Sequence, residues 1–271
     1  MSRLAKLIQH KVAQSEKILS VFLTAGYPEP EATAEVVFRL EAAGVDFVEL
    51  GIPFSDPIAD GPTIQESSQQ ALDSGMTLPG ALHLVENIRR HSELPIVLMG
   101  YLNPMLKYGL ARLVDTAATV GLDGFIIPDL LPEASARIAP AFENATVGLN
   151  FLVSPNTAED RIKKVAGMTR DFLYCVSVTG VSGARKSVSE ETLAFLQRTR
   201  SWADGTPCFA GFGIASGKVA AEISRHCDGV IVGSAVIKLL AGGEPLHLKL
   251  NRVSDFIAEL KASLKGVGHG H

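Results

Sequence analysis

The chain is expected to fold as an α/β protein, a single (β/α)8 TIM barrel, and three observations point there. Its 271 residues are close to the length of one such barrel, typically about 250. Eight short apolar runs alternate with stretches of helical periodicity. The runs are continuously hydrophobic rather than alternating, as strands of a parallel sheet covered on both faces are.

In order, the runs are LSVFLTA near Leu19, DFVELG from Asp46, PIVLMGY from Pro95, DGFIIPD from Asp123 and TVGLNFLV from Thr146. DFLYCVSV from Asp171, TPCFAGFG from Thr206 and CDGVIVGS from Cys227 complete the eight. EPEATAEVVFRLEAAG, after the first run, sets Ala, Val and Leu on one face and stops at Gly44, a common helix terminator. The βα rhythm then repeats seven times with no Pro/Gly/Ser linker and no shift in composition. One domain over 1–271 is therefore expected, a closed barrel rather than an open doubly wound sheet. No GxGxxG follows the first strand. Helices at 2–14 and 78–91 look like decorations, and one over 246–264 closes the barrel. Residues 266–271 are expected to form a frayed tail, its GVGHGH open to metal only adventitiously.

Apolar residues make up 46% and charged residues 20%, enough for a large core and unlike a disordered chain. Lys plus Arg total 25 against 29 Asp plus Glu, a net charge of −4, and no basic cluster follows a helix face. That balance disfavours nucleic-acid binding. The amino terminus has no apolar h-region and no run approaches 18 apolar residues, so a soluble, cytoplasmic protein is expected. Cys175, Cys208 and Cys227 lack metal-ligand spacing and lie in or beside predicted strands, as buried reduced thiols do.

Chemistry in such barrels sits at the carboxyl ends of the strands. The polar residues there are Thr24, Glu49, Tyr101, Asp129, Ser154 and Ser177, besides glycine-rich tails. None of the seven histidines ends a strand, which argues against a metal-dependent aldolase. No lysine does either: Lys107 and Lys186 fall in or near loops and Lys238 inside a predicted helix, so Schiff-base chemistry lacks its nucleophile. Glu49 ends DFVEL, where alternation places it either in the lumen or against the helices. In the lumen, lost hydration would raise its pKa toward neutrality. Asp56 and Asp60 follow in a loop fixed by Pro53, Pro57 and Pro62; each alone is an ordinary turn aspartate.

AGFGIAS and VGSAVIK follow strands seven and eight, where barrels often bind phosphate. Their glycines admit an anion, and a helix starting near Ser234 offers amide donors. The loop SVTGVSGARKSVSEE, which starts at Ser177 and covers 178–191, suits closure over a substrate. Gly183 would add an amide to the phosphate and Ser182 would touch a catalytic acid.

Together ELGIPFSDPIADGPTIQ, GYLNPMLKYG, GFIIPDLLPEA, SVTGVSGAR, GFGI and VGSAVIK, in this order, resemble the α-subunit family of tryptophan synthase, from about residue 16 to residue 262. The resemblance implies retro-aldol cleavage of indole-3-glycerol phosphate to indole and D-glyceraldehyde 3-phosphate, with no metal or organic cofactor in this chain. It gives Glu49 the proton transfers and Asp60 the indole N–H. Tyr174 would lie beside Glu49, with Phe22, Ile64, Tyr101, Ile127 and Phe212 as apolar walls. Gly183, Gly213, Gly233 and Ser234 would hold the phosphate. It further implies an α2β2 complex with a pyridoxal-phosphate-bearing β subunit, reached through Asp56, Pro57, Asn103 and Pro104 in two mouth segments, the second exposing the apolar residues of LNPML. This sequence departs from the family at Ser182, often threonine, and at Ala134, often glutamate. Serine keeps the hydroxyl that would bond Asp60 and loses a methyl, so loop closure is expected to be weaker. Another phosphosugar-binding barrel enzyme, a stand-alone indole-releasing lyase, or a weak barrel that mainly activates β stay open at this point.

Overall fold

The computed structural model describes residues 1–143, 145–176, 188–211 and 213–267. Nine parallel strands follow the predicted runs: β1 (Ile18–Thr24), β2 (Phe47–Gly51), β3 (Ile96–Met99), β4 (Gly124–Ile126), β5 (Gly148–Asn150), β6 (Leu152–Val153), β7 (Leu173–Val176), β8 (Cys208–Gly211) and β9 (Gly229–Val232). They pair in the order β5-β4-β3-β2-β1-β9-β8-β7-β6. The two ends of this sheet, β5 and β6, are separated in the chain only by Phe151, so the sheet closes on itself. The expected fifth strand is thus present but broken. At the break, the Phe151 N–H donates to Thr169 Oγ1 at 2.8 Å instead of to the ladder.

Register divides the strands' side chains between two environments. Ile18, Phe47, Val97, Ile126, Phe172, Tyr174, Phe209 and Ile231 form a cluster in the lumen, while Leu19, Val21, Val48, Leu50, Ile96 and Leu98 join the larger core beneath the helices. The helix Arg3–Ala13, opened by Ser2 accepting from the Ala5 N–H, sends Leu4 and Ile8 into the lumen cluster, where both are buried. It plugs the barrel and is not a decoration; an amphipathic pattern fixes which face is buried, but not against what. The helices Ala32–Ala42, Leu78–Arg89 and Leu246–Leu264 lie where expected.

At the amino-terminal ends of the strands, aspartates brace neighbouring units. Asp46 accepts from the Leu19 N–H at 2.8 Å, Asp123 from Ile96 at 3.0 Å and Asp228 from Cys208 at 2.9 Å. Each carboxylate satisfies a buried backbone donor as its strand enters the sheet. The three cysteines are free and buried. Lys107, expected in or near a loop, lies in the helix Leu102–Tyr108, whose hydrogen bonds end at Gly109 with its positive φ of 93°.

Candidate active site

Glu49 shares the register of Phe47 and lies opposite Phe22 on one side and Val97 on the other. That register settles the open alternative in favour of the lumen. The side chain is fully buried; Oε1 accepts from Ser20 Oγ at 3.3 Å, and Oε2 has no partner among the described residues. Burial pushes its pKa from 4.5 up to about 8, with the Ser20 hydrogen bond acting weakly in the opposite direction. Such a group holds a proton at neutrality and can still release it.

Two residues further along β2, Gly51 opens onto a cleft at the strands' carboxyl ends, lined also by Phe22, Ile52, Asp60, Ile64, Ser68 and Tyr101, with Met99, Gly100 and Pro128. A side chain at Gly51 would collide with the Phe22 ring, so the glycine lets that ring lie over the strand end. Asp60 Oδ2 accepts from the Tyr101 hydroxyl at 3.0 Å, and the same hydroxyl accepts from the Ala59 N–H at 2.9 Å. Tyr101 is therefore more than an apolar wall. Phe54 packs on its ring at 5.1 Å between centroids. Burial raises the Asp60 pKa, and the Tyr101 bond opposes that rise. Tyr174, also in the lumen, has its hydroxyl pKa pushed well up by burial and then by Glu49 and Asp60.

The other predicted residues divide by place. Ile64, in the first turn of Pro62–Asp73, reaches the cleft. Ile127 is packed in the main core, and Pro128 lines the cleft instead. Gly233 precedes the helix Ser234–Leu240, and the Phe22 Cβ lies against it. Val236 and Ile237 donate to the Gly233 carbonyl, so the amides of Ser234 and Ala235 belong to the helix's open first turn. Gly213 is exposed, and among the described residues nothing lies within 4 Å of where its side chain would be. Ser177, Ser182, Gly183, Lys186, Phe212 and most of 178–191 lie outside the described residues.

Asp56 is exposed and accepts from Ser55 Oγ at 2.5 Å, apart from the Asp60 network. Asn103 is exposed and Pro57 and Pro104 half-buried; within LNPML Met105 is fully buried, while Leu106, its last residue, is 50% exposed. The helix turns Met105 inward and leaves Leu106 as the exposed large apolar residue of LNPML. Ile58 at 86% and Leu131 at 61% exposure flank the same rim. Thr24, Asp129 and Ser154 serve the fold: Thr24 bonds Ser67 at 2.6 Å, Asp129 accepts from the Leu102 N–H, and Ser154 bonds Thr157. Among the described residues no group of three or more His, Cys, Asp or Glu is arranged to hold a metal ion. Sequence reasoning misses Ser20, set in an otherwise mostly apolar strand, and Ser68, one of two adjacent serines on an amphipathic helix.

The profile of the family described as "Tryptophan synthase alpha chain" matches residues 8–265. The tryptophan synthase alpha chain of Geotalea uraniireducens is 43% identical over 268 residues, covering 99% of this chain and 100% of its own length. The chain belongs to this family. The tryptophan synthase alpha chain of Geobacter sulfurreducens is 42% identical over 264 residues, covering 97% of this chain and 99% of its own. A crystal structure of the tryptophan synthase alpha chain from Legionella pneumophila superposes with a TM-score of 0.88 at 31% identity over the whole of both chains. The barrel of the tryptophan synthase alpha chains is thus this chain's barrel from end to end.

Proposed function

We propose that the family's reaction, cleavage of indole-3-glycerol phosphate to indole and D-glyceraldehyde 3-phosphate, runs at this barrel's mouth on Glu49 and Asp60. The observation that carries the assignment is a wholly buried carboxyl group, one oxygen unpartnered among the described residues, just inside a cleft that also holds Asp60. Neutral Glu49 gives its proton to C3 of the indole ring, and the ring nitrogen becomes cationic. The carboxylate then takes the proton of the hydroxyl on the adjoining glycerol carbon. The bond between that carbon and C3 breaks, its electron pair returns to the ring, and the carbon becomes the aldehyde. Glu49 is left protonated, ready for another turnover.

Asp60, ionised and held by Tyr101, accepts the indole N–H. Because that N–H is a stronger donor once the ring is protonated, the interaction favours the transition state over the bound substrate. Phe22, Ile64 and Tyr101 face the ring. The amides near Gly213, Gly233 and Ser234 suit the phosphate, with Gly183 and Ser182 supplied by the 178–191 loop. These steps use side chains and substrate alone. Pyridoxal phosphate belongs to the partner β subunit, which would take the indole on to L-tryptophan with serine in an α2β2 complex. The exposed rim of Ile58, Leu106 and Leu131, beside Asp56, Pro57, Asn103 and Pro104, suits that partner. A cytoplasmic setting follows from this biosynthetic role.

The test is direct. Purified chain incubated with indole-3-glycerol phosphate is expected to release indole and glyceraldehyde 3-phosphate in equal amounts, slowly alone and faster with β. Failure to release indole under either condition would remove the assignment.

A further inference from the structure

Ser20 lies mid-strand in β1, opposite Phe47 on one side and Ile231 on the other, and is fully buried. The lumen around it is apolar, built from Phe47, Val97, Phe172, Phe209 and Ile231. A hydroxyl in such surroundings is destabilising unless it is hydrogen-bonded. β1 is paired on both edges, so its backbone is committed to the ladders. The partner that the Ser20 hydroxyl has is Glu49 Oε1, at 3.3 Å, and among the described residues no other side chain bonds that carboxyl group.

The two oxygens of Glu49 are therefore not equivalent. We propose that Ser20 is a positioning residue for the acid–base step: by donating to Oε1 it fixes the carboxyl plane and makes Oε2 the oxygen that carries the travelling proton. The proposal rests on the lyase reading and deepens it. In neutral Glu49 the carbonyl oxygen is Oε1, a sound acceptor for Ser20, and the O–H stands on Oε2. Placing the proton on Oε1 instead would make Ser20 the acceptor and leave its own O–H without an acceptor in the apolar lumen. When Oε2 gives its proton to the indole carbon, negative charge spreads over both oxygens and the Ser20 bond strengthens. When Oε2 takes up the glycerol hydroxyl proton, the first arrangement returns. Ser20 thus holds one oxygen through both transfers without exchanging a proton itself. Its hydroxyl also favours the charged form of Glu49, so its loss is expected to raise that group's pKa.

The experiment compares full-length wild type, Ser20→Ala and the near-isosteric weak donor Ser20→Cys for indole release across pH, with Glu49→Gln as reference. In both Ser20 variants kcat is expected to fall roughly 3- to 30-fold, the effect of one hydrogen bond. KM is expected to change less than about twofold, since Ser20 does not face the cleft, and competition by inorganic phosphate to stay as in wild type. The basic limb of the kcat/KM profile is expected to move to higher pH, which loss of packing alone would not produce. A folded Ser20 variant with unchanged kcat and an unmoved limb overturns the proposal, and an inactive Glu49→Gln beside it leaves the lyase reading standing. Full activity in Glu49→Gln would overturn both.

Discussion

The Tyr101 hydroxyl donates to Asp60 Oδ2 at 3.0 Å while accepting from the Ala59 N–H at 2.9 Å, tying the carboxylate to the loop that carries it. The arrangement presets Asp60 before any substrate arrives, and Phe54 against the Tyr101 ring helps to hold it.

Tyr101→Phe keeps the ring in the cleft and removes the clamp. Hydrogen bonds to charged groups contribute about 1.5–3 kcal/mol, so kcat/KM at neutral pH is expected to fall roughly 10- to 100-fold. Burial already raises the Asp60 pKa and the tyrosine opposes it. The acidic limb of the pH profile is therefore expected to move upward in the variant, read by steady-state indole release.

Stability is expected to fall with rising pH because of Glu49. Its folded pKa of about 8 lies above the ordinary 4.5, so the folded state keeps a proton that the unfolded chain surrenders between those values. Each step upward in pH within that window favours unfolding, and the loss levels off above about pH 8. Glu49→Gln removes the effect. Urea unfolding at pH 5 and pH 8.5 should show the variant more stable than wild type chiefly at the higher pH.

The lumen plug should matter to stability and little to the chemistry. Leu4 is completely buried in the lumen cluster at the end opposite the cleft. Leu4→Ala is expected to cost about 2–5 kcal/mol in unfolding free energy. The KM for indole-3-glycerol phosphate should stay within about twofold of wild type at temperatures where the variant is folded.

Leu106, half exposed on the helix next to Tyr101, is expected to meet the β subunit. Leu106→Asp should weaken co-purification with β at least about tenfold, as burying an unpaired charge does. Indole release by the isolated chain should be unaltered.

The barrel was legible in the sequence because every strand is buried on both faces and so reads as an uninterrupted apolar run. Glu49 and Asp60 were legible as acids at a strand end and in the following loop. Other features depend on partners distant in the chain. The break at Phe151 needs the hydroxyl of Thr169, 18 residues on. The docking of Leu4 and Ile8 needs a lumen that exists only after the strands close. Ser20 is one hydroxyl inside ILSVFLT, and nothing in that run announces that Glu49 stands beside it. Ile127 is a wall only by the family resemblance; it packs in the main core, and Pro128, the next residue, lines the cleft.

Indole release by Glu49→Gln, measured alongside its affinity for phosphate, tests the central assignment most directly. The variant is expected to lose essentially all turnover, at least about 100-fold as for a general acid–base group, while inorganic phosphate competes as it does in wild type. Turnover at the wild-type rate in Glu49→Gln would contradict the assignment of Glu49 to the proton transfers.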